Sequence, residues 1–181
     1  MALNPDSALA RLMSTLPRPG VVRWIGVRPA RAAPMREVAH VDVVAGGGLV
    51  GDRYAGGSGK RGLTLIQAEH LPVIAALSGQ AQVAPALLRR NVVVAGLPLV
   101  ALKGRRFRIG DVLLEGTGDC DPCSNMEKAL GPGGFNAMRG HGGLCARIVE
   151  GGAFGVGDEV LPLDDATLST VQASLSLGEA S

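Results

Sequence analysis

The apolar segments of this chain are short, and glycine or proline punctuates the intervals between them. Residues 21–27 are apolar and β-branched and are stopped by Arg28-Pro29, which reads as a strand. Further strands are expected at 37–44, 63–66, 92–95, 106–109, 112–115, 144–149 and 159–163. Gly110-Asp111 marks a hairpin between 106–109 and 112–115, and Gly157-Asp158 sits between the last two apolar runs, read as a final strand pair. With 27 Gly, 11 Pro and only 3% aromatic residues, the chain builds its core from Val, Leu and Ala between tight turns. Helices are expected at 9–16, at 68–77 closed by Gly79, and as a brief turn at 85–89. The long alternating helices of a parallel α/β fold are missing, so the expectation is mostly β in an α+β setting: one barrel-like domain with a few short helices. The domain is read at residues 21–163, after a leader or short helix at 1–20 and before a helix or frayed tail at 164–181, where 168–177 is weakly amphipathic.

Charge and hydropathy narrow the class of function. A formal charge of +2 does not suit a general nucleic-acid binder, and few aromatics are available to stack on bases. No apolar run approaches bilayer length, and the N-terminus lacks a secretory h-region. With 3 cysteines and nothing marking secretion, reduced thiols in the cytoplasm are the expectation.

The chemistry concentrates at Asp119-Cys120-Asp121-Pro122-Cys123. Asp121 as N-cap and Pro122 at the first helical position would put Cys123 at the second position of a helix that ends before Gly131-Pro132-Gly133-Gly134. Free backbone N–H groups there would favour a thiolate, which is both a nucleophile and a soft metal ligand. Plain packing is the alternative, and for Cys145, inside an expected strand, it is the preferred one. Two other uses of the pair stay open. A redox dithiol lacks its usual βαβ setting; a zinc site could use Cys120, Cys123, His141 and Cys145, although a domain with ample core has little need of one.

Several polar residues flank glycine-rich loops. Asp52-Arg53 follows Gly46-Gly47-Gly48, Arg90-Asn91 precedes a strand, and Arg139 and His141 lie in Met138-Arg139-Gly140-His141-Gly142-Gly143. Arg suits phosphate and Asn suits a heterocycle, so a phosphorylated heterocyclic ligand would use this mixture. His141 is expected to be exposed, His70 to lie at the surface, and His40 carries no signal.

Taken in order, Gly51-Asp52-Arg53, Leu63-Thr64-Leu65-Ile66, Arg90-Asn91, Arg108-Ile109-Gly110-Asp111, Pro122-Cys123, Met138 to Gly143 and Val156-Gly157-Asp158 resemble a MOSC domain, the C-terminal domain of molybdenum cofactor sulfurases. The resemblance covers about residues 21–163 and is nearest to small stand-alone bacterial members. It implies a β-barrel-like fold and a functional cysteine, at Cys123 here, that ligates molybdenum beside the pterin. It also implies cofactor contacts at Arg90 and Asn91, with Asp52, Arg53, Arg139 and His141 as further candidates. The leading implied activity is a molybdenum-cofactor enzyme that reduces N-hydroxylated small molecules such as hydroxylamino bases. The alternative is a carrier that forms a persulfide on Cys123, and the third reading is a zinc-stabilised, non-enzymatic binding module. The 181 residues leave no room for a pyridoxal-phosphate domain or an electron-transfer module. The expected partners are therefore separate electron-donor proteins or a cysteine desulfurase.

Overall fold

The computed structural model describes residues 4, 7–54 and 59–163. In chain order the elements are α1 (Ala8–Ser14), β1 (Gly20–Val27), β2 (Arg36–Glu37), β3 (His40–Val43), β4 (Leu63–Gln67), α2 (His70–Leu77), α3 (Pro85–Leu88) and β5 (Val92–Ala95). A 3-10 turn at Leu99–Leu102 follows, then β6 (Arg106–Ile109), β7 (Val112–Asp119), α4 (Ser124–Leu130), α5 (Gly134–Ala137), β8 (Leu144–Glu150), β9 (Gly152–Gly155) and β10 (Glu159–Pro162). The amphipathic pattern expected at 168–177 lies outside the described residues.

Strands β1, β5, β4, β8, β7, β6 and β10 pair in that order, and β10 returns to pair with β1, so the sheet closes on itself. Closure removes the exposed strand edges that an open sheet of such apolar runs would present. All of these pairings are antiparallel except β4 with β5. That parallel pair needs a crossover, and α2 and α3 supply it. The period of two along β4 and β5 sorts side chains between two compartments. Leu63, Leu65, Val92 and Val94 point into the barrel with Val22, Phe107, Ile109 and Leu114, while Ile66 and Val93 join Trp24, Ile74, Leu88, Met126 and Met138 beneath the helices. The β3–β9 ribbon adds Val41, Val43 and Phe154 to the barrel core.

Several expectations need correction. The single strand at 37–44 is two: β2 pairs with β1, Val38 N donates to Ile25 O at 3.0 Å, and the chain then leaves the barrel so that β3 can pair with β9. The last two apolar runs do not pair with each other. β8 lies between β7 and β4, and β10 lies between β6 and β1. Strand β9 was hidden because Gly152-Ala153-Phe154-Gly155 carries little strand propensity. Among the described residues no helix is long and apolar enough to cross a membrane.

Candidate functional site

Strand β7 runs past its hairpin partner β6 and ends at Asp119, and the next residues, Cys120 to Cys123, form the rim of a cleft of about 1090 Å³. Arg90 holds this rim in place. Its Nε donates to Gly142 O at 2.8 Å, its Nη1 to Leu88 O at 2.9 Å, and its Nη2 to Cys120 O at 2.7 Å and Asp121 O at 3.3 Å. A buried guanidinium so engaged ties three loops together and keeps no free donor edge. Glycine is required opposite it. A Cβ on Gly142 would meet the Cys120 carbonyl oxygen, and one on Gly143, at φ +95°, would meet Leu65 O.

Cys123 lies on the cleft and is exposed. It is not the second residue of a helix. Its φ of −128° and ψ of 175° are extended, and it caps α4, which begins at Ser124. Asp121 and Pro122 are therefore rim residues rather than N-cap and first turn. Glu127 instead accepts from Gly133 N and Phe135 N, both at 2.8 Å, which braces the turn into α5.

Two further thiols, Cys120 and Cys145, are buried on the same cleft. The neighbouring Cys145 thiol is the largest influence on Cys120, burial opposes it, and the charges of Arg90 and Arg61 add to it, bringing Cys120 down to about 6. Arg61 Nη2 stands 3.8 Å from Cys120 Sγ. The neighbouring Cys120 and burial push Cys145 up, and its Sγ donates to Asp119 O at 3.6 Å. Their surroundings thus push the two apart, Cys120 toward the thiolate beside Arg61 and Arg90 and Cys145 toward the thiol.

Cationic side chains dominate the remaining wall. Arg28, Arg89 and Arg90 are engaged with protein atoms, whereas the side chains of Arg31, Arg53 and Lys60 have no hydrogen-bond or ion-pair partner among the described residues. The acidic members are Asp119 and Asp121, and Lys103 Nζ neutralises Asp119 at 2.6 Å. Ala32 at φ 61° and Arg89 at φ 58°, the non-glycine residues with left-handed backbone among those described, both line this cleft. Such conformations persist where surrounding contacts hold them, as the Arg89 Nη1 bond to Ala33 O at 2.9 Å does here.

The candidates read from the sequence separate into three groups. Cys123, Arg53 and Arg90 line the cleft. Asp52 and Asn91 lie behind it, in a buried network. Asp52 Oδ2 accepts from Arg28 N at 2.9 Å, Arg28 Nε at 3.0 Å and Asn91 Nδ2 at 2.9 Å, and Oδ1 accepts from Tyr54 N at 2.8 Å. Burial alone would raise the Asp52 carboxyl, but the bonds and charge of Arg28 and the bond from Tyr54 N outweigh it, so its pKa lies below the ordinary aspartate value. Asn91 accepts from Arg28 Nη2 and Thr64 Oγ1 and donates to Gly26 O and Asp52, which uses its whole capacity. Neither has a group left for a heterocycle.

Arg139 and His141 form the third group, away from this cleft. Arg139 is exposed. His141 is half-buried, as is His70, and the two rings meet edge to face at 5.0 Å, so neither histidine has the freely exposed ring the sequence suggested. The zinc set Cys120, Cys123, His141 and Cys145 is not assembled: among the described residues no group of three or more His, Cys, Asp or Glu is placed to hold a metal ion. Sequence reasoning missed Arg61, Arg31 and Lys60 as cleft residues, since isolated surface cations carry no local signal, and outside the zinc set it took Cys145 for core packing.

No curated protein matches the chain. Among solved structures it is similar to the YuaD protein from Bacillus subtilis, with a TM-score of 0.71 at 20% identity over 81% of this chain and 97% of that one. It is also similar to YiiM from Escherichia coli, with a TM-score of 0.66 at 20% identity over 82% and 71% of the two chains. YiiM from Geobacillus stearothermophilus gives 0.63 at 17% identity over 81% and 76%. These likenesses establish the closed barrel as a shared fold. The family model of the MOSC domain matches residues 52–161, from the buried Asp52 through the cysteine rim to β10, and the chain belongs to the MOSC domain family.

Proposed function

We propose that the cleft binds the molybdenum cofactor, with Cys123 as the protein ligand to the metal, and that the protein reduces N-hydroxylated small molecules. The observation that carries this reading is the coincidence, in one large cleft, of an exposed thiol with the unpartnered cations Arg31, Arg53 and Lys60. The donor set fits the group: one soft sulfur suffices for a metal already chelated by a dithiolene, and an anionic phosphate tail calls for unpaired guanidinium and ammonium groups. Bound there, the cofactor would supply two-electron chemistry that removes oxygen from a hydroxylamine or N-oxide. This chain's residues supply the rest. Arg53, Arg31 and Lys60 bind and orient the anionic tail, Arg90 fixes the rim that presents Cys123, and the Asp52–Asn91–Arg28 network stiffens the wall behind. Electrons come from a separate redox protein.

A second reading, a sulfur carrier loaded by a cysteine desulfurase, draws support from the exposure of the Cys123 thiol, since a persulfide must be reachable by donor and acceptor enzymes alike. Metal and pterin analysis of protein made in a host that synthesises the cofactor decides between them. The expected result is molybdenum and pterin near one per chain, metal lost on Cys123→Ala, and both lost on the double change Arg53→Glu, Lys60→Glu. Protein free of both, carrying labile sulfur on Cys123, would overturn the first reading in favour of the second.

A further inference from the structure

We propose that Cys120 and Cys145 form a redox-active dithiol, separate from Cys123, that hydroperoxides oxidise to an intramolecular disulfide. The inference does not depend on what the cleft binds.

The strand ladder brings the two thiols together. In the β7–β8 register Gly118 faces Cys145 and Asp119 faces Leu144, and Cys120 N donates to Gly143 O at 2.9 Å. Cys120 and Cys145 therefore lie on the same face of the ladder, as diagonal neighbours. The residue opposite each of them is glycine, Gly118 and Gly143, so no side chain stands between the sulfurs. Both line the cleft, and Arg61 Nη2 lies 3.8 Å from Cys120 Sγ. No metal cluster among the described residues claims them, and both are free thiols.

A thiol beside an arginine, with a second free thiol on the same face of the ladder, is the arrangement that peroxide oxidation needs. The Cys120 sulfur attacks one oxygen of ROOH. An S–O bond forms, the O–O bond breaks, and the departing RO group takes a proton and leaves as ROH. Sulfur is oxidised by two electrons to the sulfenic acid and the peroxide is reduced. Cys145 then attacks the Cys120 sulfur: the S–S bond forms, the S–O bond breaks, and hydroxide leaves with the Cys145 proton as water. The sum is two thiols plus ROOH giving one disulfide, ROH and water. Oxidation removes the negative charge beside Arg61 and Arg90, which leaves the cleft more cationic.

The test uses the full reduced chain treated with hydrogen peroxide, alkylated, cut with trypsin and weighed. Cys120 and Cys123 fall in the peptide 109–128, and Cys145 falls in 140–147. The decisive variant is Cys123→Ser, which changes an exposed residue and leaves Cys120 as the sole thiol of the first peptide. The expected product is the two peptides joined and lighter by two hydrogens, with the same cross-link in the unaltered chain. In Cys145→Ser the cross-link disappears and Cys120 becomes trappable as a sulfenic acid by a dimedone reagent. If the cross-link vanishes in Cys123→Ser, or both thiols there remain alkylatable at peroxide doses that oxidise Cys123 in the parent, the proposal is wrong.

Discussion

At the scale of single residues, the structure divides polar groups that look alike in sequence into those that hold the wall and those that face the cleft. Asp52 is the clearest wall residue, with its carboxylate taking four donors out of water. Asp52→Asn keeps the shape but turns an amide N–H₂ toward Arg28 or Asn91, and is expected to destabilise the fold by about 2–3 kcal/mol at neutral pH. The folded state keeps this carboxyl ionised to lower pH than the unfolded chain does. Its contribution is therefore whole above the ordinary value of 3.8 and fades as pH falls below it. Denaturation curves of parent and variant should thus converge on acidification; a constant gap down to acid pH would contradict the assignment. At Arg61 the expectation concerns charge alone: Arg61→Met removes a cation beside Cys120, and the ultraviolet thiolate titration of that sulfur should move up from about 6.

At the scale of elements, the two glycines before β8 let the rim approach the sheet. Gly143→Ala must place a Cβ against Leu65 O at a φ of +95°, so a loss above roughly 3 kcal/mol is expected, measured by urea denaturation. Stability within 1 kcal/mol of the parent would show that β4 can yield. The elements also show what the chain makes readable. Strands β1, β5, β6 and β10 were legible because each is a compact apolar run bounded by turn residues, and period and punctuation act locally. Partner choice was not, because the parallel joining of β4 to β5 and the return of β10 to β1 depend on contacts far apart in sequence. The site was legible to the same degree. Of the candidates read from the sequence, Cys123, Arg53 and Arg90 line one cleft. Asp52 and Asn91 were recognised as unusual, but burial decides whether such a group faces a ligand or a neighbour, and burial is a property of the closed barrel. The placing of Cys120 and Cys145 on one face escaped for the same reason, as it exists only once β7 and β8 are in register.

At the scale of the whole molecule, a net charge of +2 conceals a strong local field, because seven of the 18 basic residues line the cleft and Lys103 offsets one of its two carboxylates. Binding of a polyanion there should weaken as salt rises, and isothermal titration with inorganic pyrophosphate at two ionic strengths would measure it. The seam of the barrel has a consequence of another kind. Gly20 pairs with Val160 and Val21 with Glu159, so the polypeptide enters and leaves the barrel side by side. A glycine bridge of about six residues from 163 to 20 can span that gap, and the exposed pair Ala81-Gln82, beyond the end of α2, can be cut to give new termini. Such a circular permutant should fold with an undisturbed cleft, and its melting temperature and pyrophosphate affinity should stay close to the parent's. The order in which the strands are strung would then be a matter of wiring, while the closed ring itself carries the site.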